Sequence, residues 1–470
     1  MYSEAVAFGI VAAPSPAGDP ALAAKLRDLT ISWSRYDYRG RIVEAAAIEG
    51  ALEQAVELGY RWCLVQRAGH VILEDWHADA SRERLEQWVS RWIGEGDFLA
   101  LGAVIPDDGG GSGLDDQCLL VDVSRYHDLG CPAFGDSCAR TDSVAGWNFV
   151  ETSLRNGLPV RDIGPVLDER RLSLGRLSPP EAQRLGNYLG SGIRDYAGGE
   201  TWLDPRVGVF LSEVQGQVVN SDRGVFLWNL EPYDDVRTRP RGFEGPISTL
   251  YSVASGFKPN MILESLGFDP LTRVVFFDYS TKALEVKRLL LEEWDGRDFP
   301  AFTRHLFRAL PSYEAHYHLW DGATPDTLDE HATVDAWERE LQLWGGERAF
   351  EHHWSQYRRL RHEFVQCNVL EDPTPLLRHV EPEQDAVIWW SNAFFTVWGN
   401  WLLDVGERQR AYERWVEALA ERNPDLFLYG SDFCNSSVND VNAADYWSLL
   451  RNAGCDELVP LAANACEIRF

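Results

Sequence analysis

The chain has 470 residues, with 44 basic side chains against 73 acidic ones and a net charge of −29. A length about three times that of a common domain predicts two or three domains with cores of their own, and the acidic balance argues against nucleic acid, whose binders gather positive charge. The eight cysteines are scattered without a C-x-x-C pair, which excludes a zinc ribbon or a small disulfide framework, and no apolar window approaches the roughly 18 residues of a membrane span.

Residues 6–12 read as a first strand; no basic segment precedes them, so a signal peptide is not indicated and a cytoplasmic protein is expected. Residues 42–58 carry helical spacing that stops at Gly59, and 61–66 form a short buried strand. A helix is expected over 81–92 and strands over 98–105 and 116–123, an α/β pattern. The glycine-rich run 107–116 lacks phosphate-cradle spacing and reads as a surface loop. Weaker strand signals fall at 207–211, 217–219 and 225–229, and the polar run Trp228-Asn-Leu-Glu231 either faces a cleft or simply ends the last of them. The Arg- and Pro-rich run 236–243 has neither period and is the expected linker, dividing the chain into 1–240 and 245–470.

The second half is organised around residues 246–294. Ile247, Thr249 and Val253 mark a strand that breaks at Ser255-Gly256, and Met261, Ile262, Leu266 and Phe268 mark a helix. A second strand, Arg273-Val-Val-Phe-Phe277, ends in Asp278, and Ala283, Leu284, Val286, Leu289 and Leu290 share the face of a second helix. In this βαβα unit Asp278 follows the glycine turn by about 20 residues, the spacing at which a Rossmann unit places a ribose-binding acid. Only one glycine stands in Ala254-Ser-Gly-Phe-Lys258, so a diphosphate on the helix N-terminus is disfavoured. S-adenosylmethionine carries no phosphate and needs less backbone clearance. The alternative is an ordinary α/β unit in which Asp278 and Ser280 only cap the next helix.

An insertion interrupts the pattern over about 295–361, with a long helix over 334–360 that would form a lid or wall. Strands resume at 363–372, reaching Asn368 and Asp372, at 385–396, reaching Ser391-Asn392, and at 425–430 after a helix over 412–420. The tryptophans at 337, 344 and 354 and those from 389 to 401 would either wall a flat acceptor or pack as core. His316-Tyr-His318, with Asp321 and the histidines at 331, 352 and 353, is the densest histidine cluster; it lacks a matching Glu, and no metal is assigned. With no G-x-S-x-G elbow, H-E-x-x-H or P-loop in the chain, hydrolase and kinase chemistry fall away.

On Ser255-Gly256 and Asp278, the stretch from roughly 245 to 470 resembles the class I S-adenosylmethionine-dependent transferases. The resemblance implies an α/β protein of two Rossmann-like domains, the C-terminal one a methyltransferase-like sheet with a helical insertion. Its cofactor site would comprise Ser255, Gly256, Asp278, Tyr279, Ser280, Asn368 and Asp372. Gly256 would admit the methionine part, Asp278 would accept from the ribose hydroxyls, and Asp372 or Asn368 would meet the adenine. Ser391, Asn392 and Phe394 would border the sulfonium and a small-molecule acceptor. Asp278-Tyr-Ser280, Ala283-Leu-Glu-Val-Lys287, Trp294-Asp-Gly-Arg-Asp-Phe299 and Trp390-Ser-Asn392 are similar to the amino-carboxypropyl transferases of betaine-lipid synthesis. Transfer of that group therefore stands beside methyl transfer, the first expectation.

Residues 55–70 and 117–130 resemble the GT-A nucleotide-sugar glycosyltransferases. Where those enzymes hold a metal on Asp-x-Asp, this chain has Gln66-Arg-Ala-Gly-His70, and Glu74 and Asp75 follow one short strand later. The resemblance implies a recognition domain rather than an active glycosyl transferase, and a non-catalytic binding or scaffold protein remains the alternative for the whole chain.

Overall fold

A computed structural model describes residues 6–12, 19–33, 42–72, 85–106, 111–134, 145–228, 233–237, 239–318, 330–403, 405–433 and 437–453. The chain divides into two compact units, one of residues 1–75, 81–215 and 400–404, the other of 76–80, 216–399 and 405–470. Both are α/β, and each is built on a six-stranded Rossmann-like sheet of mixed direction. No described helix is long and apolar enough to cross a membrane.

The first unit contains β1 (Val6–Val11), β2 (Ile42–Ala45), β3 (Trp62–Arg67), β4 (His70–Ile72), β5 (Ala100–Pro106), β6 (Ser112–Asp122), β7 (Val160–Asp162) and β8 (Arg171–Ser173). Its sheet runs β2-β1-β3-β6-β5-β7, with β6 antiparallel to both neighbours, and β4 pairs with β8 in a separate ribbon. Successive residues of a strand enter opposite layers. Val6, Phe8 and Ile10 join Trp62 and Leu64 in one core, while Ala7, Val11, Cys63 and Val65 join the other.

Two expectations are corrected here. Residues 42–58 are a strand and a helix, because Ile42 and Val43 pair alongside Phe8 and Gly9 before the helix Ile48–Glu57 begins. The expected strands at 207–211 and 217–219 lie within one helix, Arg206–Ser221. Val207, Phe210, Leu211, Val214 and Val218 are all buried, a stripe of three- and four-residue steps that outweighs the β-branched composition.

The second unit contains β9 (Gly224–Phe226), β10 (Thr249–Val253), β11 (Arg273–Asp278), β12 (His316–His318), β13 (Arg361–Gln366), β14 (Val387–Trp389), β15 (Phe427–Ser431) and β16 (Ser437–Asn442). Its sheet runs β13-β11-β10-β14-β15-β16, parallel throughout except for β16. Every residue of β10, β14 and β15 is buried, as expected for strands covered on both faces. After β10 comes the helix Lys258–Leu266, and after β11 the helix Thr281–Glu293, whose N-cap Ser280 accepts the Ala283 N–H at 3.2 Å.

The insertion folds as the helices Phe299–Ala309, Glu330–Leu343 and Glu347–Tyr357, with β12 beside β9. The single long helix expected over 334–360 breaks at Gly345 and Gly346, whose φ angles of +78° and +117° suit only glycine without strain. Trp294 lies 4.7 Å from Trp354 and 5.0 Å from Phe299 between ring centroids, and Trp337 meets Phe350 edge-on at 5.0 Å. Trp337, Trp344 and Trp354 are thus buried in an aromatic core.

Candidate functional site

From β10 the chain steps outward through β11 to β13, then returns to the other side of β10 as β14. The strand order therefore reverses between β10 and β14, and in open α/β sheets such a reversal opens a crevice at the carboxyl ends of the strands. A cavity of about 100 Å³ lies there, several times the roughly 10–15 Å³ that one water requires.

Each strand contributes where it ends. Val253 and Ser255 line the cavity after β10, and Phe277, Asp278 and Tyr279 at the end of β11. Cys367 and Asn368 follow β13, and Trp390, Ser391 and Asn392 follow β14. A further wall comes from β9 through Gly224 and Phe226, and from Trp228 beyond it. Asp278 is the only carboxylate among the described lining residues, and no Lys, Arg or His is among them.

Asp278 is held by the backbone. Its Oδ1 accepts the Ser280 N–H at 2.9 Å, and the N–H groups of Ala254 and Tyr279 also donate to it. Burial nevertheless pushes its pKa up to about 7, against those bonds and the nearby Lys287 ammonium. Lys287, itself buried, donates to the Gly256 carbonyl and lies 5.4 Å from the centroid of the Phe276 ring. Burial pushes its pKa down to about 7, opposed by the charges of Asp278 and Glu340. Glu340, on the insertion, is raised to about 7 by the same cause, although Tyr233 and Trp344 donate to it at 2.9 Å. The charges of Asp278 at the cavity and Glu340 on the insertion both act on Lys287.

The expected site residues fall into two groups. Ser255, Asp278, Tyr279, Asn368, Ser391 and Asn392 line the one cavity. The other four stand behind or beside it. Gly256, at φ +38°, donates to the Phe226 carbonyl at 3.0 Å and so ties the turn after β10 to the end of β9. Ser280 serves as the helix cap. Asp372 is exposed and accepts the Thr374 N–H at 2.9 Å, so the acidic position after β13 caps a turn and leaves Asn368 at the cavity. Phe394 is fully buried against Tyr412, 5.1 Å away.

Ser391 holds φ +55°, an uncommon conformation for a residue with a side chain, while its carbonyl accepts the Ser431 N–H at 2.8 Å. Sequence reasoning missed Gly224, Phe226 and Cys367; only the strand signal at 225 pointed toward the first two. Of the polar run Trp228-Asn-Leu-Glu231, Trp228 lines the cavity, and residues 229–231 lie outside the described residues. Among the aromatic residues flagged as an acceptor wall, Trp390 lines the cavity and the insertion tryptophans do not.

In the first unit, the stretch where GT-A enzymes place metal acids ends β3. Arg67 there is ion-paired to Asp116, Arg171 holds Asp115 at 2.8 Å, and burial pushes the pKa of His70 down to about 4. The acids on β6 are thus already neutralised, which does not fit a divalent metal; Glu74 and Asp75 lie outside the described residues. His316, on β12, is buried, and nothing is described of the His318 side chain. Among the described residues no three His, Cys, Asp or Glu side chains gather to hold a metal ion. No protein-family model matches the chain, and no curated protein matches it.

Proposed function

We propose that the second unit binds S-adenosylmethionine and transfers a group from it, methyl first, to a small-molecule acceptor. The observation that carries this reading is the lining of the cavity at the β10–β14 reversal: aromatic rings, one carboxylate, and no basic side chain among the described residues. Phe226, Trp228, Phe277, Tyr279 and Trp390 line it, and an aromatic ring attracts a cation over its face. A diphosphate would find no charged partner there other than a repelling acid.

When bound, S-adenosylmethionine supplies an electrophilic carbon on a sulfonium. In this reading the chain binds and orients. Asp278 accepts hydroxyl hydrogen bonds, Asn368 offers an amide to a base edge, and Ser391, Asn392 and Thr396 present polar groups for an acceptor. Burial pushes the Cys367 thiol up to about 11, so it stays protonated at neutral pH and is a poor competing nucleophile. With alignment of the acceptor as the main requirement, positioning rather than a strong base supplies the rate.

Isothermal titration of the full chain tests the reading. S-adenosylmethionine and S-adenosylhomocysteine should each bind and compete, while NAD and a nucleoside diphosphate should not. Absence of heat from both sulfur ligands would overturn it. The neutralised Asp115 and Asp116 favour a second reading for the first unit, a recognition domain that keeps a transferase fold without glycosyl transfer. Release of sugar from a panel of nucleotide sugars would refute that one.

A further inference from the structure

One face of the second sheet carries a polar cluster that the cavity does not use. Ser252, Trp389 and Tyr429 are register partners on β10, β14 and β15, and neighbours in register project to the same face. At that level β15 and β16 slip. Leu428 pairs with Val441 and Gly430 with Val438, so Tyr429 alone faces Asn439 and Asp440, a β-bulge. Lys258, 2 % exposed at the start of its helix, has its ammonium 5.9 Å from the centroid of the Trp389 ring and 2.7 Å from Oδ2 of Asp235.

Three buried oxygens of this cluster have no hydrogen-bond partner among the described residues: the Tyr429 hydroxyl, Oδ1 of Asp235 and Oδ1 of Asp440. The Tyr429 side chain is wholly buried. The fold brings them together: Asp440 stands opposite Tyr429 at the bulge, and the turn Asp234–Val236 that carries Asp235 packs against β16. Buried acceptors are seldom left unmade, because each unsatisfied group costs its desolvation. Among the described residues the ammonium of Lys258, paired to Asp235, balances one of the two carboxylates and leaves one negative charge over.

We propose that Asp235, Tyr429 and Asp440 bind a monovalent metal cation, potassium or sodium. One positive charge balances the excess carboxylate, and the available donors are all hard oxygens. The single uncompensated charge, rather than the number of protein oxygens, selects a monovalent ion over magnesium or calcium, and water would complete its coordination. A water molecule would fill the hydrogen-bonding gap but leave the charge. None of the three residues lines the cavity, so the site stands independently of what that cavity binds.

The test follows thermal unfolding of the full chain while choline chloride is replaced by potassium or sodium chloride at constant ionic strength. With the ion tenfold above its Kd, the folded-to-unfolded ratio rises about elevenfold, seen as a higher midpoint in one or both salts. Tyr429→Phe and Asp440→Asn should each reduce that dependence; Tyr429→Phe should hold its choline midpoint because it removes an unpartnered hydroxyl, and Asp440→Asn because it removes the uncompensated charge. Should Asp440→Asn fail to fold, Tyr429→Phe and the wild-type titration still decide. Crystals soaked in rubidium should show anomalous density between the two carboxylates. Equal midpoints in all three salts overturn the proposal, as does an ion dependence unchanged in both variants. A midpoint that responds only to pH, with no anomalous peak, overturns it in favour of a proton shared by the two acids.

Discussion

Asp278→Asn separates a ligand-binding carboxylate from a turn-forming one. Asparagine keeps one side-chain oxygen for the Ser280 N–H that Asp278 accepts at 2.9 Å, and the thermal midpoint reports the cost to the Ala254 and Tyr279 N–H groups that share the carboxylate. What disappears is the charge facing the cavity. Losing two charge-assisted hydrogen bonds to ribose hydroxyls costs about 2–4 kcal/mol, or about 30- to 800-fold in Kd for S-adenosylhomocysteine. The pH profile gives a second readout. Burial holds the Asp278 pKa near 7, and only the ionised form accepts from both hydroxyls. Wild-type affinity should therefore be about tenfold weaker at pH 6 than at pH 8, since a group titrating near 7 is about one-tenth ionised at pH 6 and nine-tenths at pH 8. The variant should show a flat profile across the same range. Titration calorimetry on both proteins measures both quantities, with the thermal midpoint as the folding control. A variant Kd within about twofold of wild type, or the same pH slope in both proteins, would leave Asp278 a structural cap and refute the assignment.

Trp337→Ala should lower unfolding stability by about 3–5 kcal/mol in urea, because it empties the centre of the aromatic core, with ligand affinity of the folded protein unchanged; a lost affinity without lost stability would return this ring to an acceptor wall. Gly430→Ala would place a Cβ 2.4 Å from Cε2 of Trp390, so overpacking should cost about 1–3 kcal/mol and weaken ligand binding by displacing a ring that lines the cavity. Near-ultraviolet circular dichroism and titration would detect both effects. Glu340 has its folded pKa raised to about 7 by burial, so the folded state holds this proton more tightly than the unfolded chain does. Its contribution to stability is full below about pH 4.5 and is lost as pH rises toward 7. Glu340→Gln should accordingly flatten the fall of the urea midpoint between those values, and identical slopes in both proteins would show that burial of this carboxylate carries no cost.

The sequence by itself determined the elements whose signal is local. The βαβα unit from Thr249 to Glu293 is legible because each strand is a short apolar run, each turn has its breaker, and the Ser280 cap precedes its helix directly. From the same unit it placed Ser255 and Asp278 at strand ends, and strand ends are where an α/β sheet presents residues to a ligand. It could not separate strand from helix over 206–221, where β-branched composition and helical spacing conflict, and only burial of Val207, Phe210, Leu211 and Val214 along one stripe settled the matter.

What tertiary structure alone decided is which distant residues meet. Phe226 and Trp228 reach the cavity because the turn at Gly256 donates to the Phe226 carbonyl, a contact between separate segments that no local periodicity encodes. The insertion tryptophans and Trp390 look alike in sequence, yet three pack among the inserted helices and one closes the cavity, because packing depends on the direction of each side chain in space. The meeting of Tyr429 and Asp440 is likewise set by one slipped register between β15 and β16, and Asp235 joins them from a turn that packs against β16. A strand order arises from all the pairings at once, so residues read one at a time could not reveal it.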